Sequence, residues 1–169
     1  MGKIFNTIDD LINSVYWNHI KNQLIVTSGG FDPIHVGHIR CLQESVNLKW
    51  NKYSGNSSFS LGHLVIIVNG DGFLTRKKGK PFMNHSERME IVAAIEGVDY
   101  VVGWDDGSQT VVGALQKLKP KYFTKGGDRS TSDVVPEFNI CNEIGCEIIF
   151  GVGGTNKAQS SSVLIKNGL

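Results

Sequence analysis

Short apolar runs alternate with amphipathic stretches along most of the chain. Five of these runs predict buried strands, at residues 24–27, 64–68, 100–102, 122–124 and 147–150. Helical spacing of apolar residues predicts helices at 7–21 and 36–48, and further helical stretches lie near 109–118 and 134–144. Asn84 and Glu87 have the spacing of a helix cap, Thr7 is another candidate cap, and a last short helix is expected to start among residues 160–162.

This order of elements indicates the fold class. Buried strands that alternate with helices are typical of a parallel sheet covered on both faces. We therefore expect an α/β protein with a single doubly wound parallel sheet of about five strands. Residues 1–22 are interpreted as an N-terminal helical extension, and residues 23–169 as one domain. Such sheets bind ligands at the carboxyl ends of their strands.

The composition of the chain limits the classes of binding partner that can be expected. The chain has 169 residues and a formal net charge of +1, so no global basic field exists to hold a nucleic acid. No apolar run approaches the roughly 20 residues of a membrane helix. The three cysteines, an odd number without metal-ligand spacing, predict reduced thiols and a cytoplasmic location.

The first predicted strand is followed by a segment rich in glycine and histidine. Gly29 and Gly30 would let backbone amides approach a ligand, and His35 and His38 would face one direction at a helix start. Two imidazole donors at a helix N-terminus suit a phosphate group. A metal pair or two capping histidines are the alternatives. The other candidate ligand contacts in this segment are Phe31, Asp32 and Gly37.

A second candidate stretch follows the next strand. Asn69 and Asp71 stand at the strand end, and residues 76–80 predict a mobile cationic loop from which Lys78 could reach a phosphate. Arg88 lies at the following helix start and would face either the substrate or an acidic partner. A solvated basic loop is the alternative for the cationic segment.

The ends of the last two strands carry further candidates. Lys125, Gly127 and Asp128 follow one strand and are expected to contact the phosphate and sugar hydroxyls of a nucleotide. Three hydroxyls at a helix N-terminus make an anion site, and a plain serine cap is the alternative. These hydroxyls belong to Ser160, Ser161 and Ser162.

These motifs, in this order, resemble those of the nucleotidylyltransferase superfamily with its H-x-G-H signature. The segment at 124–128 has the sequence T-K-G-G-D. It resembles the corresponding segment of the heptose-1-phosphate adenylyltransferases more than that of the glycerol-3-phosphate cytidylyltransferases. The resemblance runs from about residue 24 to residue 166. It implies a Rossmann-like fold in which His35, His38 and Lys78 are catalytic, and Asn69, Asp71 and Arg88 bind the substrate.

The implied reaction is transfer of a nucleoside monophosphate, most simply AMP from ATP, to a sugar phosphate with release of pyrophosphate. Mg²⁺ would accompany the triphosphate, and no dedicated set of metal ligands is visible in the sequence. A CTP-dependent enzyme acting on glycerol 3-phosphate and a non-catalytic nucleotide-binding module are the alternatives. The expected partners are the triphosphate and the acceptor, without nucleic acid or membrane, and homo-oligomerisation is left open.

Overall fold

The computed structural model describes residues 1–51, 62–127, 135–154 and 160–168. In this part of the chain six strands alternate with eight helices. The strands are β1 Lys3–Phe5, β2 Leu24–Gly29, β3 His63–Asn69, β4 Tyr100–Trp104, β5 Tyr122–Gly126 and β6 Glu147–Val152. The helices are α1 Ile8–Ile12, α2 Trp17–Ile20, α3 Val36–Asn51, α4 Asp71–Lys78, α5 His85–Ala93, α6 Val112–Leu118, α7 Phe138–Ile144 and α8 Ser161–Gly168.

The six strands form one parallel sheet in the order β1-β4-β3-β2-β5-β6. The predicted α/β class is confirmed, with six strands in place of about five. From β2 the chain builds outward through β3 and β4, and from β5 it builds in the opposite direction to β6. The order of strands therefore reverses between β2 and β5, where open α/β sheets form their ligand crevice.

Each face of the sheet carries its own hydrophobic core. On one face, α1, α2, α6 and α7 pack through residues such as Leu11, Ile20 and Leu115. On the other face, α3 and α5 pack through residues such as Leu42 and Val92. Both faces of the central strands are thus removed from water, which is why those strands are continuous apolar runs in the sequence. No helix in the described ranges combines the length and the apolar character needed to cross a bilayer.

The N-terminal segment differs from the single helix predicted over 7–21. Two short helices, α1 and α2, replace it, and strand β1 precedes them and pairs with β4. Thr7 is confirmed as the cap of α1, where it exchanges hydrogen bonds with Asp10. Division of the chain at residue 22 stays a prediction, and the structure adds that this segment supplies a strand to the common sheet.

The cationic stretch at 76–80 was predicted as a loop, and this prediction was wrong for residues 76–78, whereas residues 79 and 80 follow the helix. Residues 71–78 form α4, because Phe73 and Leu74 bury an apolar side of the segment. Arg76, Lys77 and Lys78 occupy the last turn, where positive charge interacts favourably with the helix dipole. The stretch at 51–63 is rich in Asn, Ser and Gly and is predicted from the sequence to be a loop. Most of it, residues 52–61, lies outside the described residues.

Candidate active site

A cleft of about 670 Å³ opens at the carboxyl ends of β2, β3 and β5. It lies at the point where the strand order reverses. Most of the predicted site residues line it, although they come from four separate stretches of the chain. The lining includes Gly29, Gly30, Phe31, His35, Gly37, His38, Asn69, Lys125, Gly127, Ser160, Ser161 and Ser162.

The two histidines stack at the start of α3. Their ring centroids are 3.8 Å apart with an angle of 24° between the planes. His38 Nδ1 accepts a hydrogen bond from the His35 backbone N–H at 3.2 Å, and His35 Nδ1 accepts one from the Gly37 N–H at 3.1 Å. Since both Nδ1 atoms are acceptors, the neutral imidazoles carry their protons on Nε2. The backbone amides of His35 and Gly37 are thereby satisfied.

His38 is held in this neutral form. Burial lowers its pKa to about 4, and repulsion from His35 when that ring is protonated and from the positive charge of Lys78 adds to the effect. The Phe31 ring meets the His38 ring edge-on, with centroids 5.1 Å apart. Phe31 adopts a left-handed backbone with φ of 52°, a conformation that is costly for a large side chain and that occurs preferentially at functional sites. The Phe31 segment thus supports the histidine pair.

Asp32 and Lys78 bind each other instead of lining the cleft. The Asp32 carboxylate is buried and accepts hydrogen bonds from the amides of Phe82 and Met83 at 2.9 and 2.7 Å. Lys78 Nζ donates to the Asp32 carbonyl at 2.6 Å and lies 3.2 Å from its Oδ2. Burial alone would raise the pKa of Asp32, but the two amides and Lys78 hold it below its usual value. The pair fastens residues 82–83 to the segment after β2.

Arg88 is fully buried and joins three segments of the site. Its guanidinium donates to the carbonyls of Gly30 and Asn69 at 2.7 Å each and to the Met83 carbonyl at 3.1 Å. It also pairs with Asp71 Oδ1 at 2.6 Å. Of the two partners expected for Arg88, the structure shows the acidic one. Arg88 and Asp71 thus connect the ends of β2 and β3 with the start of α5.

Lys125 lies in the cleft beside an acidic residue that the sequence did not single out. Its Nζ is 3.3 Å from Glu137 Oε2, and both side chains are largely buried. Glu137 Oε1 in turn accepts a hydrogen bond from the Val111 N–H at 3.3 Å. Glu137 immediately precedes α7 in a stretch with no recognisable motif, so only its acidic character after a proline was available as a signal.

The serine segment reaches the cleft from the start of α8. Ser161 Oγ donates to the Pro33 carbonyl at 2.9 Å, so α8 is held against the segment that leads into the histidines. Ser160 and Ser162 line the cleft as well. Asp128 lies outside the described residues.

Several lining residues were not predicted from the sequence. Lys77 lies on the last turn of α4, and Gln109 lies in the segment after β4. Lys77 belongs to the same basic stretch as Lys78. The sequence therefore indicated a cation there, but without knowledge of the helix it did not show which lysine faces the cleft. Cys41 also lines the cleft, and burial raises the pKa of its thiol to about 11, which disfavours the reactive thiolate at neutral pH.

A doubly wound sheet with stacked histidines at the point of strand reversal is the arrangement expected of a nucleotidyltransferase. The family follows from comparison with known proteins. Residues 26–149 match the cytidylyltransferase-like family, and the chain belongs to that family of nucleotidyltransferases.

Curated relatives carry the name bifunctional protein HldE. The Aliarcobacter butzleri protein is 30% identical over 145 residues, covering 84% of this chain and 27% of the relative. The Citrifermentans bemidjiense protein is 33% identical over 138 residues, covering 79% of this chain and 25% of the relative. The chain thus spans about a quarter of the length of the curated relatives it matches.

A solved structure shows the same fold. It is the lipopolysaccharide core biosynthesis protein from Thermoplasma volcanium, with a TM-score of 0.58 and 22% sequence identity. The match covers 80% of this chain and 98% of the other.

Proposed function

We propose that the protein transfers an adenylyl group from ATP to a sugar 1-phosphate of heptose-like size and releases pyrophosphate. The observation that carries this proposal is the stacked pair His35 and His38, whose Nδ1 atoms accept backbone hydrogen bonds and so place the N–H donor of each neutral ring on Nε2. Neutral donors fixed in place before the substrate arrives can stabilise charge that develops on a phosphate in the transition state.

In the proposed reaction an oxygen of the acceptor phosphate attacks the α-phosphorus in line. The new bond forms between that oxygen and the α-phosphorus, while the bond to the β-phosphate oxygen breaks and pyrophosphate leaves. The protein positions the two reactants and stabilises charge. His35 and His38 would contact the α-phosphate, and the start of α8 with Ser160 and Ser162 would hold the β- and γ-phosphates.

The cations divide into two groups in this proposal. Lys77 and Lys125 line the cleft and would offset phosphate charge there. Lys78 and Arg88, whose described contacts are to protein groups, would act by positioning the loops around the substrate. The triphosphate would enter as its Mg²⁺ complex. Because the described residues contain no group of three His, Cys, Asp or Glu side chains that could hold a metal, phosphate oxygens and water would supply most of the ligands.

The choice of ATP and a sugar phosphate is supported by two likenesses. The K-G-G-D sequence at 125–128 resembles heptose adenylyltransferases, and the relatives at about 30% identity are HldE proteins. Cytoplasmic location stays a prediction, and homo-oligomerisation stays open.

A substrate panel tests the proposal. Pyrophosphate release is measured with each of the four nucleoside triphosphates against heptose, hexose and glycerol phosphates in the presence of Mg²⁺. We expect the highest kcat/KM with ATP and a heptose 1-phosphate. A preference for CTP and glycerol 3-phosphate would overturn the substrate choice, and nucleotide binding without any turnover would support a binding module instead.

A further inference from the structure

Two buried oxygens in the cleft have no hydrogen-bond donor among the described residues. They are Asn69 Oδ1 and Glu137 Oε2, and these two are the unsatisfied buried side-chain atoms in the described part of the chain. Both residues line the same cleft. Because an unmet buried acceptor is costly and native proteins contain few of them, two in one cleft point to donors on a ligand.

Glu137 is the more informative of the two. Its Oε1 is used by the Val111 N–H. Its Oε2 lies 3.3 Å from Lys125 Nζ, which makes an ion pair, but the two groups are not aligned as a hydrogen bond. The Glu137 side chain is 5% exposed, so water does not replace the missing donor freely. The Lys125 ammonium therefore balances the charge of Oε2, but no group of the described residues donates a hydrogen bond to it.

Phosphate oxygens cannot fill this position, because they accept hydrogen bonds and repel a carboxylate. Sugar hydroxyl groups can donate to it. The polar groups are also separated in space: the histidines stand on α3, on one face of the sheet, and Glu137 leads into α7 on the other face. A hydroxyl donor therefore suits the Glu137 side of the cleft, where the ammonium of Lys125 already balances the charge of the carboxylate.

We propose that Glu137 is a ligand-binding residue whose Oε2 accepts a hydrogen bond from a sugar hydroxyl, with Asn69 Oδ1 as a second acceptor in the lining of the same cleft. This inference rests on the proposed function, because it requires a nucleotide or sugar phosphate in the cleft. The hydroxyl belongs either to the ribose of the nucleotide or to the sugar of the acceptor, and the two sources are separated by experiment.

The test combines Glu137→Gln with deoxy ligands. In the glutamine variant the charge is lost, and with the amide oxygen at the Oε1 position, where it accepts from the Val111 N–H, an NH₂ donor replaces the Oε2 acceptor. Calorimetry gives Kd for ATP, 2′-deoxy-ATP and 3′-deoxy-ATP. Steady-state kinetics give kcat/KM for a heptose 1-phosphate and its 2-deoxy analogue. Glu143→Gln, an exposed position on the same helix, is the matched control.

When the recognised hydroxyl is removed from the ligand, we expect the affinity or the kcat/KM of the wild type and of Glu143→Gln to fall roughly 10- to 100-fold. This is the usual effect of a hydrogen bond to a charged group. In Glu137→Gln that loss should shrink at least about fivefold, in the nucleotide series or in the acceptor series. Equal losses in both proteins across all ligands would overturn the proposal and leave only a structural ion pair.

If the glutamine variant does not fold, the same comparison is made with Glu137→Asp. This variant keeps the negative charge, but its side chain is one methylene shorter, so the carboxylate lies farther from the ligand. Normal turnover without any coupling between Glu137 and a hydroxyl would refute this inference alone. A wild-type protein that binds no triphosphate would refute both this inference and the proposed function.

Discussion

At the scale of single residues, the histidine pair depends on which nitrogen of each ring is occupied. Both Nδ1 atoms accept backbone hydrogen bonds, at 3.2 and 3.1 Å. A histidine that merely capped the helix would use the same bonds, so the proposed catalytic role rests on donation from Nε2. Kinetics and folding measurements can separate the two roles.

His38→Ala should lower kcat far more than it weakens ATP binding. A donor that acts mainly in the transition state contributes roughly 10²- to 10³-fold to the rate. The measurement compares kcat from pyrophosphate release with Kd for ATP from calorimetry. His19→Ala, on the exposed side of α2, is the control and should leave both unchanged. A His38→Ala enzyme with nearly normal kcat would show that the ring serves only as a cap.

The low pKa of His38 should also make stability depend on pH. Because its pKa in the folded protein is about 4 and its ordinary value is 6.5, the unfolded chain binds a proton first as pH falls. Stability is then lost between about pH 6.5 and pH 4. From pH 7 to pH 5 the wild type should lose about 2 kcal/mol more than His38→Gln does.

Urea unfolding of both proteins at the two pH values measures this difference, with His19→Gln as the control for an exposed imidazole. Equal pH dependence in the wild type and His38→Gln would mean that His38 titrates normally and is not desolvated.

The sequence predicts most residues of the cleft but not the direction in which each points. His35, His38 and Lys125 were identified because they follow strand ends, and they do line the cleft. Asp32 and Arg88 belong to the same motifs, yet Asp32 binds backbone amides and Arg88 joins backbone carbonyls to Asp71. A motif records that a residue type is needed, whereas its partner is set by packing between segments far apart in sequence.

At the scale of elements, strand β6 and helix α3 approach each other so closely that only glycine fits at Gly153. A Cβ there would lie 2.6 Å from the Cys41 nitrogen and 2.7 Å from its Cα. The Gly153 N–H also donates to Glu44 Oε2 at 2.6 Å, which ties the end of β6 to α3. This contact adjoins both the histidine helix and the segment that leads to α8.

Gly153→Ala should therefore destabilise the protein more than Gly154→Ala. Both glycines have positive φ, 86° and 102°, so both variants share a backbone penalty of about 1–2 kcal/mol. A Cβ at Gly154 meets no atom within 4 Å, whereas at Gly153 it meets backbone that cannot turn aside. We expect a further 1–3 kcal/mol, as is typical of overpacking, in urea unfolding of Gly153→Ala.

The difference between the two variants isolates the steric contact. Equal losses would mean that β6 and α3 can separate at little cost. In that case the approach of Gly153 to Cys41 would not be a constraint on the cleft.

The elements themselves were predicted best where burial gives a clear pattern. The five longer strands stand out because both faces of the sheet are covered. Strand β1 has only three residues, two of them exposed, so no apolar run marks it. Helix α4 was missed because its charged residues dominate the pattern, and only Phe73 and Leu74 turn inward.

At the scale of the whole molecule, the N-terminal segment covers one face of the sheet. Strand β1 extends the sheet beside β4, and Ile8, Leu11 and Ile20 enter the same core as residues of α6 and β4. A removable extension would not be expected to hold core positions. The boundary predicted at residue 22 can therefore be tested by the contribution of this segment to stability.

Leu11→Ala and Val15→Ala provide that test, because they lie in the same segment and differ in burial. Leu11 is 0% exposed within the core that includes Leu115 and Leu118 of α6, whereas Val15 is 80% exposed. Truncating a buried leucine costs roughly 2–5 kcal/mol, and a surface change away from special features stays within about 0.5 kcal/mol. We expect those two outcomes in urea unfolding, with a single transition in each protein. If Leu11→Ala cost no more than Val15→Ala, the segment would be a loosely attached extension, and the domain would begin near residue 23 as the sequence predicted.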